Sequence, residues 1–276
     1  MTDRVILETC DGVVHVRMNR PEKKNALDGP MFDALLSAAR QIGADASVRA
    51  VVLSGAGDSF CSGLDVSSLG EMAAGTLDPE SDSIQEATRD LSPGGANRAQ
   101  QLGWLWHELP VPVIAAVQGA AYGGGLHIAL GADIRFIAPD ARIAFVEVTW
   151  GLVPDLSGTQ ALRRLVPLDV AKKLIFSGEP IDGARAVELH LGTELSADPL
   201  EDAMALATTI AARSPDAVRA AKKLLNASGL VPVAEGLANE FQASAALMGK
   251  KNQVEAVVAK LQKRPPQFDD SDPSSV

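Results

Sequence analysis

Cysteine is nearly absent from this sequence. Cys10 and Cys61 are the two among 276 residues, far apart and without metal-ligand spacing around them. That excludes a disulfide framework and gives no support to a cysteine metal site, and it fits a reducing compartment. Positive charge is also in deficit, with 25 Lys and Arg against 35 Asp and Glu and a net charge of −10. A deficit of this sign argues against nucleic acid and anionic membrane surfaces as partners. It leaves room for an anionic ligand, which needs only a local cluster of Lys and Arg. Long hydrophobic runs are missing as well. The best candidate, residues 111–130, is broken by Gln118, four glycines and His127, so no membrane-spanning helix is expected. The start, Met1-Thr2-Asp3-Arg4, lacks the apolar stretch of a signal peptide. Together these absences lead to the expectation of a soluble cytoplasmic protein.

What is present is apolar material, 46% of the chain, enough for a sizeable core. The arrangement centres on residues 118–133, Q-G-A-A-Y-G-G-G-L-H-I-A-L-G-A-D. A short β-branched run, residues 111–117, precedes it and reads as a buried strand. Gly123–Gly125 then form a turn, and Leu126, Ile128, Ala129 and Leu130 begin a buried helix. A strand feeding a glycine turn at a helix start leaves backbone N–H groups pointing at open space. The dinucleotide pattern G-x-G-x-x-G is absent from this turn. A second strand, residues 48–53, leads through a turn to Phe60-Cys61-Ser62-Gly63-Leu64-Asp65. Two glycine-bearing segments, each behind a strand, can bring two N–H groups around one oxygen, the geometry of an oxyanion hole.

The rest of the chain reads as α/β giving way to helices. Residues 5–9 and 13–18 form a hairpin across Asp11-Gly12. A helix opens at Asp28 or Pro30 and runs to about Gln41, with Phe32, Leu35, Leu36 and Ala39 on one side. Residues 70–97 are rich in breakers and read as a mobile loop. A helix follows over 97–109. Strands are expected over 134–138 and 141–145, then helices over 157–165, 170–176, 182–189, 198–213, 214–227, 231–248 and 252–264. Ser214-Pro215 is read as a capped helix start.

The segments Arg20-Pro21-Glu22-Lys23-Lys24-Asn25-Ala26-Leu27, residues 60–65, residues 112–133, and Gly151-Leu152-Val153-Pro154 followed by Gly158-Thr159-Gln160 occur in one order. In that order and spacing the chain resembles the crotonase superfamily, the enoyl-CoA hydratases and isomerases. The resemblance implies a spiral of β-β-α turns over residues 1–197. It implies a C-terminal helical region over 198–276 that packs trimers, often doubled to hexamers. The substrate it implies is an acyl-CoA thioester. Coenzyme A then arrives as part of the substrate, and no permanently bound cofactor is expected.

Further roles follow from the same likeness. The backbone N–H groups of Leu64 and Gly124 would hold the thioester oxygen as it becomes an enolate. Lys23, Lys24, Ala26, Ser62 and Asp65 would contact coenzyme A. Lys260, Lys263, Arg264 and Phe268 resemble a segment that completes a neighbouring subunit's nucleotide pocket. Family hydratases carry two glutamates that activate a water. Here the first position is His127 and the second is Glu147. Family dienoyl-CoA isomerases pair that second glutamate with an aspartate, matched here by Asp155, and carry another aspartate where this chain has His127. Two of three positions thus favour a double-bond isomerase in fatty-acid metabolism. Glu147 is the expected proton carrier, with Asp155 or His127 as the second. A hydratase using Glu147 with His127, and a non-catalytic acyl-CoA-binding member, remain alternatives. Trp104, Trp106 and Trp150 are candidates to bound the acyl pocket.

Overall fold

The computed structural model describes residues 3–67, 70 and 90–271. The expected mobile segment 70–97 therefore lies largely outside the described residues.

A hairpin opens the fold, β1 (Val5–Cys10) against β2 (Val13–Met18). Then α1 (Gly29–Ala44) leads to β3 (Ala50–Gly55). Asp28 caps α1 by accepting a hydrogen bond from the Met31 N–H. After α2 (Arg98–Glu108) come β4 (Val113–Val117), β5 (Ala120–Tyr122) and α3 (Gly124–Gly131). β6 (Ile134–Ile137) and β7 (Arg142–Ala144) follow, then a 3-10 turn at Glu147–Trp150. The chain goes on through α4 (Gly158–Leu162), α5 (Leu168–Ser177), β8 (Ile181–Asp182), α6 (Gly183–Glu188) and β9 (Glu194–Leu195). Four helices end the described chain: α7 (Pro199–Ala211), α8 (Pro215–Ala227), α9 (Val233–Leu247) and α10 (Lys251–Leu261).

The larger sheet has the order β1-β2-β3-β4-β6-β9, parallel after the first hairpin. Every residue of β3 and β4 is buried, as their unbroken apolar runs require in a sheet covered on both faces. One face carries Val51, Leu53, Val113 and Ala115 against Leu35, Leu102 and Ile128 of the helices. The other face carries Val52, Ile114 and Ala116 against α7. That helix presents Ala203, Ala207 and Ala211 at a four-residue spacing, so small side chains let its axis approach the sheet closely.

A smaller sheet, β5-β7-β8, lies beyond the ends of the parallel strands. It explains the spiral. Each turn sends one strand into the large sheet and a short one into the small: β3 then residues 60–64, β4 then β5, β6 then β7. Residues 60–64 join by a bridge between Cys61 and Ala121. This is the mixed α/β crotonase-like core with C-terminal helices that the resemblance implied.

Some local expectations were off. β5, β8 and β9 have two or three residues each, too few for an alternating pattern to register. The helix expected over 157–165 is only the short α4. Ser214 occupies the N-cap of α8, but its side chain makes no capping hydrogen bond; Pro215 at the first position sets the helix start.

Candidate active site

Residues 60–65 lie between two other segments. On one side the Leu27 N–H donates to Gly63 O at 2.8 Å, and the Asp65 N–H donates to Leu27 O at 3.1 Å. These bonds face Gly63 O and Asp65 N toward Leu27. Backbone alternation then turns the Leu64 N–H the other way. On that other side the Cys61 N–H donates to Ala120 O at 2.9 Å, and the Tyr122 N–H donates to Cys61 O at 3.0 Å. The register carries Leu64 to the Gly123–Gly124 turn. A Cβ built on Gly63 would lie 2.7 Å from Tyr122 O and 3.8 Å from Gly124 N. Gly63 has φ +87°, a conformation that also favours glycine.

Gly124 is the first residue of α3, where a helix leaves its N–H without an internal acceptor. Among the described residues neither the Leu64 nor the Gly124 N–H donates a backbone hydrogen bond outside regular elements. The two N–H groups thus lie on neighbouring turns, with Gly124 at the positive end of an eight-residue helix.

His127, one turn into α3, is fully buried. Its Nε2 stands 3.1 Å from Oε1 of Glu147, whose side chain is 11% exposed. The pair is close but not aligned as a hydrogen bond. His127 Nδ1 and Nε2 and Glu147 Oε2 are buried with no hydrogen-bond partner among the described residues. Buried polar atoms are normally paired, so a cluster of three orphans marks a place prepared for something else. Glu147 lies against the glycine turn: a Cβ on Gly123 would sit 3.3 Å from its Oε1. Gly158, the first residue of α4, closes over the imidazole. A Cβ there would fall 2.4 Å from His127 Nε2. Phe145 approaches the ring from another side, with centroids 5.8 Å apart.

Asp155 joins this group electrostatically. Its residue surface is largely exposed, yet it sits in a recess where surrounding protein raises its carboxyl above the ordinary 3.8; His127 counters that shift and Glu147 adds to it. The structure therefore brings His127, Glu147, Asp155, Leu64 and Gly124 into one neighbourhood.

The residues expected along coenzyme A behave differently from one another. Lys23 and Lys24 are exposed on a 3-10 turn, with Lys24 at φ +49°. Ala26 is buried, its N–H donating to Lys23 O and its carbonyl accepting from Arg20. The Ser62 hydroxyl donates to Lys23 O at 3.3 Å. The Asp65 side chain is engaged within the protein: Ser67 N–H and hydroxyl, then Arg20 at 2.6 Å, hold its carboxyl at about 2. At the C-terminal end, Arg264 is bound by both oxygens of Glu255.

Asn25 is the organiser that sequence reasoning missed. It is fully buried, with φ +54°. Its amide donates to Ala56 O and Ser59 O and accepts from the Arg20 N–H, tying the 20–27 loop to the turn before Phe60. An Asn is among the few residues that tolerate this backbone, which was the available signal. Cys61 donates to Asn25 O at 3.1 Å, and burial pushes its thiol up to about 12, so it is no nucleophile. Trp106 is core, its indole N–H donating to Leu102 O; Trp150 is exposed, and Trp104 alone lines the recess beside Asp155.

The family described as Enoyl-CoA hydratase/isomerase matches residues 8–271. The chain is 34% identical to mouse "Enoyl-CoA hydratase domain-containing protein 2, mitochondrial", over 93% of this chain and 84% of that protein. It is 34% identical to "Probable enoyl-CoA hydratase" of Bacillus subtilis, over 88% of this chain and 90% of that one. The crystal structure of an enoyl-CoA hydratase from Bacillus anthracis superposes with a TM-score of 0.84 at 30% identity, covering 96% of this chain and 98% of that one.

Proposed function

The chain belongs to the enoyl-CoA hydratase/isomerase family of acyl-CoA enzymes, and on that premise we propose that it moves a double bond along the acyl chain of a thioester. The thioester carbonyl sits between the Leu64 and Gly124 N–H groups. Glu147 removes a proton from the acyl chain through its carboxylate. The bonding electrons move onto the thioester oxygen as an enolate, which the two N–H groups stabilise. Each such donor is worth about 10²–10³ in rate. Glu147, or Asp155 as second carrier, returns a proton at a different carbon.

The observation that carries this reading is the 3.1 Å approach of His127 Nε2 to Glu147 Oε1. A water activated between two side chains needs hydrogen-bond length to each of them. Direct contact leaves no such gap between this pair. His127 thus acts as a brace for a single proton carrier. Lys23 and Lys24, exposed beside the Gly63–Leu64 segment, suit the coenzyme A phosphates.

The test is incubation with trans-2-enoyl, 3-enoyl and 3,5-dienoyl thioesters, followed by ultraviolet absorbance and product analysis. The expected result is double-bond movement without water uptake, with Glu147→Gln slower by roughly 10²–10⁴. Net formation of the 3-hydroxyacyl thioester would establish the hydratase reading, which the names of the relatives favour. Tight binding without turnover would establish an acyl-CoA-binding member.

The proposal extends to assembly and location. α9 has no buried residue, and Val233, Leu237 and Phe241 are 79%, 60% and 76% exposed at a four-residue spacing. Such an unpartnered apolar stripe suits packing against other copies, in a trimer or a dimer of trimers. No helix among the described residues is long and apolar enough to cross a membrane, and with two free cysteines the cytoplasm is the fitting compartment.

A further inference from the structure

Beside Asp155 the structure has a recess of 420 Å³, lined in part by Pro154 and Ser157. Its described lining includes Thr159, Gln160, Arg163, Arg164 and Trp104. Few of these are the aliphatic residues that a hydrocarbon tail would meet.

Its polarity is graded. At the end nearest the catalytic cluster stands Asp155, whose strongest charged neighbours are His127 and Glu147. The opposite character belongs to Arg163 and Arg164. Arg164 is already set in position. Its guanidinium lies over the Trp104 ring at 5.7 Å, and its Nη1 is 2.9 Å from His107 Nε2. Trp104 and His107 support each other, with ring centroids 4.6 Å apart. Burial first, then Arg164 and Lys222, hold His107 down at about 4, so its Nε2 is free to accept the arginine N–H. That leaves most of a planar five-donor fork open, the shape that matches a carboxylate. Arg163 has no ion-pair partner among the described residues.

We propose that this recess takes the distal end of the acyl group and that the preferred substrate carries a carboxylate there, paired with Arg164 and Arg163. A methyl-terminated chain in the same place would cover the arginines without pairing them. The inference rests on the acyl-CoA reading above.

The experiment compares enoyl thioesters of equal length ending in a methyl or a carboxylate group, with wild type, Arg164→Gln and the Arg163→Gln/Arg164→Gln double variant. Both arginines are surface-exposed, so the fold should survive their replacement. A charge-assisted pair predicts that wild type prefers the carboxylated substrate in kcat/KM by roughly 10- to 100-fold. The ratio should collapse toward one in the double variant. Equal or better use of the methyl-terminated substrate by wild type overturns the proposal, as does a preference that survives both substitutions. Calorimetric binding of the matching saturated thioesters provides a second arm. A carboxylate preference there with no turnover of any enoyl thioester supports the recess and refutes the isomerase reading. No carboxylate preference there, alongside ordinary turnover, refutes the recess alone.

Discussion

The proposed convergence of two N–H groups depends on one missing methyl group. Gly63→Ala tests it. A Cβ at residue 63 would lie 2.7 Å from Tyr122 O, where ordinary contact begins at 3.4 Å. The neighbour is backbone, held by the bond from Tyr122 N–H to Cys61 O, so no side chain can rotate away. The two turns must separate by several tenths of an ångström, and Leu64 and Gly124 must part with them. Overpacking of this kind costs about 1–3 kcal/mol. The φ of +87° adds about 1–2 kcal/mol for an L side chain. A donor pulled from its place costs about 10²–10³ in rate. Gly229→Ala is the control, because Gly229 has φ +77° with nothing within 4 Å of its Cβ position. It carries the backbone cost without the clash. Urea denaturation and kcat/KM, measured on both variants and scaled to folded protein, separate the effects. Gly229→Ala should lose stability and keep its rate; Gly63→Ala should lose both. A Gly63→Ala enzyme with wild-type kcat/KM would refute the oxyanion geometry.

Two further outcomes test the surroundings of the site. Asp155 has a raised carboxyl pKa, so the folded state holds its proton more tightly than the unfolded state does, and stability falls as pH rises from 3.8 through the folded value. Asp155→Asn should therefore be more stable than wild type at pH 7, with the gap closing below pH 3.8; urea midpoints at the two pH values check this, and a constant gap would contradict it. Phe241→Glu places a charge in the exposed stripe of α9 and should reduce the assembled mass in light scattering while leaving the circular-dichroism spectrum of the subunit unchanged.

Long, uniform signals were the ones the sequence showed clearly. β3 and β4 are unbroken apolar runs, and both are buried throughout. The Gly123–Gly125 turn and Phe60–Asp65 could be paired because each follows such a strand. What could not be read depends on chain segments meeting from far apart. Arg20 reaches Asp65 across 45 residues, and Asn25 reaches Ser59 across 34. The first of these bonds uses a carboxylate, that of Asp65, which the family likeness had assigned to coenzyme A. Lys222 and Asp133, 89 residues apart, form a largely buried ion pair that also satisfies Val111 O. No local pattern announces such a pair. The same holds for His107: composition gave it no role, and only the fold sets it beside Arg164 and Trp104.

The exchange of an acid for an imidazole at residue 127 changes what the remaining acid can do. With two carboxylates in the site, repulsion and a shared water would keep them apart. An imidazole can instead touch its partner, and here it does, at 3.1 Å. Gly158 makes this possible, since any side chain there would occupy the place of the ring. The contact sets the Glu147 carboxylate against the ring, while Oε2 is buried without a hydrogen-bond partner. An unpaired buried acceptor costs about 1–3 kcal/mol, which folding alone gives no reason to keep. Under the proposed reading the thioester carbonyl is held by the two N–H groups, the neighbouring carbons lie at Glu147, and the far end of the acyl chain reaches the arginines.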